Sequence, residues 1–241
     1  MLSSVPARLA LSPILIAQAI RVRRRAIVLP EPTGPRRGVA GSGPMLRLLI
    51  AGDSSAAGVG VAHQDLALSG QLVSALAPHF SVHWRLEAHT GDTTAQTLAK
   101  LSALTPEPVD VAVTALGVND VTHQRPLRRW LAEQREISAL LQDHWGVRAQ
   151  WRSGVPPMGV FPLLPRPLRD VLGAQAARFD RALAGASTGP VHYLPFDRSR
   201  LDPSMMAADG FHPGADVYAA WGQELGKLIA AWGAARSDGI A

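Results

Sequence analysis

The sequence predicts an α/β fold, a three-layer α/β/α sandwich around a five-stranded parallel sheet. Five apolar runs of strand length alternate with longer stretches in which apolar residues recur at spacings of three and four. Parallel strands need long connections between them, so this alternation favours a doubly wound sheet with helices on both faces. A chain of 241 residues with 47% hydrophobic content is large enough to bury the core of one such domain.

The predicted elements follow one another in regular order from about residue 45. The strand candidates are Leu46 to Ala51, Val82 to Ala88, Val109 to Ala115, Val147 to Trp151 and Val191 to Leu194. The helix candidates are Leu66 to Ala77, Thr93 to Leu101, Leu127 to Trp145, Leu168 to Leu183 and Ala215 to Trp232. Each helix candidate follows a strand candidate, which is the pattern of repeated βα units.

The chain is predicted to consist of a basic N-terminal arm and linker (1–44), one folded domain (45–235) and a short C-terminal tail (236–241). Residues 31–44 are rich in glycine and proline, which indicates a linker without helix or strand. Residues 1–44 hold seven arginines and one acidic residue, Glu31, so the arm carries the net positive charge of the chain. The remainder is nearly neutral, and we therefore expect no nucleic-acid partner.

The arm contains an apolar stretch, Leu9 to Ile20, which includes Pro13 and is too short to cross a bilayer as a helix. Two interpretations remain open. In one, the protein is cytoplasmic and keeps the arm, whose arginines contact anionic lipid at a membrane surface. In the other, the stretch is a secretory signal that is cleaved near Ala19. Arginines crowd just after the stretch, from Arg21 to Arg25, and favour the retained arm.

Polar and glycine residues with catalytic potential follow the predicted strands. Ser54 follows the first strand, Gly91 the second, Asn119 the third and His212 the fifth. Ligands of open parallel sheets bind beyond the carboxyl ends of the strands, so these residues are predicted to share one edge. Serine needs a base to accept its proton and a third group to orient that base. Asp209, three positions before His212, can supply that third group.

Each of these motifs is also typical of an ordinary turn. Gly52-Asp53-Ser54 could be a capped turn, Asp209-Gly210-Phe211-His212 could begin a helix, and Asn119 could close a loop. Their common placement at one sheet edge favours a function. A main-chain amide at Gly91 and a side-chain amide at Asn119 are the kinds of donor that stabilise an oxyanion during acyl transfer.

Taken together, these motifs and Gly117-Val118-Asn119-Asp120 resemble the SGNH/GDSL hydrolase superfamily, over roughly residues 45 to 235. The resemblance implies a flavodoxin-like fold and an esterase or lipase with Ser54 as nucleophile, His212 as base and Asp209 as its orienting group. It also implies an oxyanion hole formed by the amides of Ser54 and Gly91 and the side chain of Asn119. Ser55 stands where many relatives have leucine, which places a second hydroxyl beside the nucleophile.

The expected reaction is hydrolysis of a carboxylic ester or thioester through an acyl-Ser54 intermediate, with neither cofactor nor metal. Two alternatives remain open: transfer of the acyl group to a sugar or lipid hydroxyl, and a non-catalytic binding module on the same fold. The expected partner is a small-molecule or lipid acyl ester. Met158, Phe161 and Leu163 lie in an apolar, proline-rich segment after the fourth strand and are predicted to line the substrate pocket. The acyl chain, the leaving group and the oligomeric state are not fixed by the sequence.

Overall fold

A mostly parallel sheet forms the centre of the computed structural model, which describes residues 5–196 and 202–237. Within these residues the sheet has six strands in the order β1-β3-β2-β4-β5-β6. Strand β1 is antiparallel to β3, and all other neighbours are parallel. The strands are β1 (Arg37–Ala40), β2 (Met45–Gly52), β3 (Ser81–Ala88), β4 (Val111–Ala115), β5 (Ala149–Ser153) and β6 (Val191–Leu194). The predicted α/β class and its parallel core are confirmed, with one strand more than expected.

Helices pack against both faces of this sheet. They are α1 (Val5–Arg25), α2 (Ser54–Ala57), α3 (Leu68–Leu76), α4 (Thr94–Ala103), α5 (Val118–Thr122), α6 (Leu127–Trp145), α7 (Leu168–Gly185) and α8 (Ala215–Ser237). All five predicted helices are present, with ends that differ by a few residues.

Alternation along β2 explains the three layers. Leu48 and Ile50 point to one face and join the apolar cluster that includes residues of α3 and α8. Leu49 and Ala51 point to the other face and join a cluster with residues of α4 and α6. Because the second half of β2 is buried on both faces, Leu48 to Ala51 form a continuous apolar run in the sequence.

Strand β1 lies in residues 31–44, where we expected neither helix nor strand. It is four residues long and mostly exposed, and it pairs with the outer edge of β3, with Gly38 opposite Trp84. A Cβ atom at Gly38 would come within 3.0 Å of the Trp84 indole nitrogen, so the close approach suits glycine. Main-chain pairing holds the strand, and no apolar alternation marks it in the sequence.

Helix α1 contains the apolar stretch of the arm and lies against α7. Leu15 and Val22 pack against the apolar cluster that includes Leu168 and Leu172 of α7. The Gln18 amide donates to the carbonyl oxygen of Arg166 at 2.7 Å and accepts from the Leu168 amide at 3.1 Å. None of the described helices has the length and continuous apolar character that a bilayer crossing needs. Residues 1–4 of the predicted arm and 238–241 of the predicted tail lie outside the described residues.

Candidate active site

Ser54 begins the short helix α2 immediately after β2 and is buried apart from 8% of its surface. The chain can turn there because Gly52 has no side chain: a Cβ atom would come within 2.3 Å of the carbonyl oxygen of Ala115. Asp53 caps α2, and its Oδ1 accepts from the Ser55 amide at 2.9 Å and the Ser55 hydroxyl at 2.7 Å. The second hydroxyl is therefore engaged by Asp53, while Ser54 faces the site.

The structure brings together Ser54, His212 and Asp209. The Ser54 Oγ lies 2.9 Å from the His212 Nε2, although the two residues are 158 positions apart. The His212 Nδ1 lies 2.6 Å from the Asp209 Oδ2. Because the carboxylate can only accept a hydrogen bond, we assign the imidazole proton to Nδ1. The Nε2 atom is then free to accept the hydroxyl proton of Ser54.

Asp209 also holds the turn that carries His212. Its Oδ1 accepts hydrogen bonds from the main-chain amides of Phe211 and His212, both at 3.0 Å. Burial raises the pKa of Asp209, but the bonds from the His212 ring and these two amides outweigh burial and leave the pKa below its ordinary value. Asp209 is thus an anion beside the imidazole, where it stabilises the imidazolium that forms when His212 takes a proton.

A second carboxyl group, that of Asp53, immediately precedes the nucleophile in the chain. Burial raises its pKa to about 6, against the opposing effects of the two Ser55 hydrogen bonds and the charge of His212. Only 2% of the Asp53 surface is exposed. The sequence indicated a turn-forming role for Asp53, and the structure adds a buried group that changes charge near neutral pH.

The two loops that carry the predicted oxyanion donors are joined by a hydrogen bond. Gly91 lies in an exposed turn after β3 with φ +85°, the left-handed region that glycine adopts readily. Asn119 lies on α5, and its side-chain amide donates to the carbonyl oxygen of Asp92 at 2.9 Å. An amide nitrogen carries two hydrogens, so this bond leaves one for an oxyanion. Gly91 follows β3 and Asn119 follows β4, the two strands that flank β2, so both lie at the same sheet edge as Ser54.

A buried network behind Asn119 fixes helix α5. Asp120 is fully buried and accepts from the Thr94 amide at 3.1 Å and the Thr94 hydroxyl at 2.8 Å. The Thr94 hydroxyl accepts in turn from the Trp130 indole nitrogen at 3.0 Å. Burial is the main cause that raises the pKa of Asp120. These contacts tie α5 to α4 and α6, so the position of Asn119 depends on three helices.

Glu31, from the N-terminal segment, holds the turn next to Gly91. Its Oε1 accepts from the Thr90 amide and the Thr90 hydroxyl, both at 2.8 Å, while its Oε2 lies 2.9 Å from the Arg36 guanidinium. Burial raises the pKa of Glu31, but the Thr90 bonds and Arg36 outweigh burial and leave it below the ordinary value. Sequence reasoning missed this contact, although Glu31 is the one acidic residue among the arginines of the arm.

Two cavities meet at His212. One is a small cavity of about 40 Å³ that is also lined by Ser54, and the other is an open groove of about 1050 Å³ that reaches Gly91. Of the predicted pocket residues, Phe161 lines the small cavity and Leu163 lines the groove. Met158 is instead fully buried in the apolar core, because it lies on a short helical turn, Met158–Val160, that packs against α7. A direct contact between Met158 and substrate is therefore not supported by its position.

Known proteins that resemble this chain are esterases and related enzymes. A GDSL-like esterase of Mycobacterium tuberculosis is 28% identical over 185 residues, which are 72% of this chain and 58% of the relative. The chain thus spans less than two thirds of the length of that relative.

Solved structures share the fold at lower identity. The structure of TesA matches with a TM-score of 0.61 and 22% identity, over 74% of this chain and 94% of TesA. A carbohydrate esterase family 2 enzyme of Corynascus thermopiles, solved with a carbohydrate-binding domain, matches with a TM-score of 0.59 and 18% identity, over 83% of this chain and 68% of that protein. At these identities the likeness concerns the fold alone.

The family is shown by a match that covers most of the chain. The model of the GDSL-like lipase/acylhydrolase family matches residues 50–220, which include Ser54, Gly91, Asn119, Asp209 and His212. This match agrees with the resemblance found in the sequence motifs. The chain belongs to the GDSL-like lipase/acylhydrolase family.

Proposed function

We propose that this chain is a serine hydrolase that cleaves carboxylic ester or thioester bonds through an acyl-Ser54 intermediate. The observation that carries the proposal is the unbroken series of contacts from Ser54 through His212 to Asp209, at 2.9 and 2.6 Å. These distances are within the range that proton transfer from a nucleophile to a general base requires. The family match and the sequence relative named as a GDSL-like esterase support an ester as the bond that is broken.

In the first half of the reaction, the Ser54 Oγ attacks the carbonyl carbon of the ester while the His212 Nε2 accepts the hydroxyl proton. The carbonyl oxygen becomes an oxyanion, which accepts hydrogen bonds from the amides of Ser54 and Gly91 and from the Asn119 side chain. His212 then donates its proton to the leaving oxygen or sulfur, and the bond to that atom breaks. The alcohol or thiol departs, and the acyl group remains on Ser54.

In the second half, water takes the place of the departed alcohol. His212 accepts a proton from water as the water oxygen attacks the acyl carbon, and the same donors stabilise the second oxyanion. The bond to the Ser54 Oγ then breaks, and His212 returns the proton to Ser54. Throughout the cycle Asp209 stays ionised and keeps the imidazole in one orientation.

Substitution of the two neighbouring serines tests this proposal. Ser54→Ala should abolish hydrolysis of p-nitrophenyl acetate and labelling by a fluorophosphonate, since both require the nucleophilic hydroxyl. Ser55→Ala is the matched control, because it removes the adjacent hydroxyl, which bonds to Asp53. It should retain labelling. Undiminished turnover by Ser54→Ala would refute the assignment, and failure of the unmodified protein to react with the fluorophosphonate would favour a binding module.

A further inference from the structure

We propose that helix α1 forms the outer wall of a binding site for the alkyl chain of an ester substrate. The inference rests on the proposed function, because the site it describes extends from the proposed catalytic residues. Helix α1 lies outside the part of the chain that the family model matches, residues 50–220. The site would therefore be a feature of this chain that its family membership does not supply.

Residues of α1, of α7 and of the loop before α7 line the larger of the two cavities, which we call the apolar groove. This groove also reaches the proposed catalytic residues. Gly91, Asp209 and His212 are among its lining residues, so a ligand in the groove would reach the proposed oxyanion donor and the base. Its volume of about 1050 Å³ is at the upper end of typical small-molecule sites and exceeds what an acetyl ester would fill.

Helix α1 both attaches to the body of the protein and lines the groove. Leu15, Gln18 and Val22 recur at spacings of three and four and contact the body of the protein. Ile16, Ala19 and Ile20 form the neighbouring stripe and line the groove, where Leu15 and Val22 of the first stripe also contribute. Because the first stripe fixes α1, the second stripe is held in place over the opening.

Apolar side chains from outside α1 also line the groove. They include Leu163 of the loop before α7 and Leu168 and Leu172 of α7. Ile16 and Ile20 of α1 are 59% and 47% exposed, which is high for side chains that face a concave surface. Side chains this exposed are hydrated, and an alkyl chain laid in the groove would displace that water. The ligand that matches this chemistry is an ester with a long alkyl part.

Two series of esters test the site in the full-length protein and identify which part of the ester occupies it. In one series the acyl chain is lengthened on p-nitrophenol, and in the other the alcohol is lengthened on acetate. We expect kcat/KM to rise about fourfold for each methylene that enters the groove, in one of the two series. The series that shows the rise identifies the acyl or the alcohol part as the occupant. A flat response in both would overturn the proposal.

Charged substitutions test the contribution of α1. The double variant Ile16→Asp/Ile20→Asp should lower the ratio of kcat/KM for a long-chain ester to that for the acetate ester about tenfold. A ratio within one preparation is insensitive to the fraction of protein that is folded. Ile14→Asp is the matched control: Ile14 is 50% exposed on the same helix, is not among the groove residues, and should leave the ratio unchanged.

A third variant keeps the groove apolar while narrowing it. Ala19→Trp should shift the preferred chain length downward, because the indole fills space that the alkyl chain would occupy. An unaltered chain-length profile in both Ala19→Trp and the double variant would exclude α1 from the site. That result is distinct from failure of the proposed function, in which Ser54→Ala retains turnover of the acetate ester.

Discussion

Asn119 is the one proposed oxyanion donor that acts through its side chain, and so a substitution can remove it without changing the backbone. Asn119→Ala should reduce kcat for p-nitrophenyl acetate by about 10²- to 10³-fold, the usual effect of losing one such donor. The change in KM should be smaller, since the oxyanion exists only in the transition state. Steady-state kinetics measure both quantities. A loss of less than about threefold in kcat would exclude Asn119 from the oxyanion hole.

Asp53 is expected to make stability depend on pH. Its pKa is about 6 in the folded protein against an ordinary value of 3.8, so folding favours the protonated form. The stability that it contributes is complete below its unfolded pKa and is lost as the pH rises through about 6. The loss amounts to at most about 3 kcal/mol.

The variant Asp53→Asn isolates this effect, because the amide retains an oxygen acceptor for Ser55 and does not ionise. Denaturant unfolding of both proteins at pH 4 and pH 8 measures it. We expect the variant to gain stability relative to the unmodified protein on going to pH 8. If the difference between the two proteins is the same at both pH values, Asp53 does not titrate as described.

Among the individual site residues, those that belong to a local sequence motif could be predicted from the sequence. Ser54, His212 and Asp209 are recognisable because each follows a strand or lies within a few positions of its partner. The positioning roles of Glu31 and Asp120 could not be predicted, since each depends on burial against residues far away in the sequence: Glu31 reaches Thr90, and Asp120 reaches Thr94.

Among the elements, the segment before β1 contacts the site through Glu31, whose side chain accepts hydrogen bonds from the turn next to Gly91. Glu31→Ala removes the acceptor of the Thr90 amide and hydroxyl, which should loosen the turn that presents the Gly91 amide. We expect kcat to fall about three- to tenfold, a modest effect because Glu31 is partly exposed and its hydrogen bonds can be replaced by water. Steady-state kinetics on the acetate ester provide the measurement.

Glu31→Gln is the control for this prediction, because glutamine keeps a side-chain oxygen that can accept from Thr90. It should restore most of kcat, whereas Thr90→Ala should not add to the defect of Glu31→Ala. Equal activity of the alanine and glutamine variants at a reduced level would point to the charge of Glu31, rather than to its hydrogen bonds, as the relevant property.

Elements with a repeated apolar pattern were predictable, whereas α1, β1 and the short helices α2 and α5 were not. Strands β2 and β4 are mostly apolar because the centre of the sheet is covered on both faces, and α6 presents one apolar stripe. Helix α1 has no acidic residue in its first turn and contains Pro13, so the signals that usually mark a helix are weak. Strand β1 forms through its main-chain pairing with β3, and its own sequence has no strand pattern.

For the whole molecule, charge and exposed apolar surface coincide at the end of α1. Arg23, Arg24 and Arg25 form its last turn, and Ile27 and Val28 follow with 56% and 91% exposure. We expect the protein to sediment with anionic vesicles and much less with neutral vesicles. Replacing Arg24 and Arg25 by glutamate should weaken this binding about fivefold or more for each residue.

An exposed arginine on another element provides the control for vesicle binding. Arg128→Glu on α6 makes the same change in net charge as replacing either Arg24 or Arg25 alone, so it should have little effect if the end of α1 is the contact region. Equal weakening by the two kinds of variant would mean that overall charge governs the association. Equal binding to neutral vesicles would contradict an electrostatic contact.

The pairing of β1 with β3 has a practical consequence for anyone who shortens this protein. Similarity to the family begins only at residue 50, which invites removal of everything before β2. Such a truncation would strip the cover from β3 and leave its main-chain donors and acceptors open to strands of other molecules. It would also discard the carboxylate that braces Thr90. A shortened protein that aggregates or turns over slowly would thus reflect where it was cut rather than a weakness of the catalytic domain.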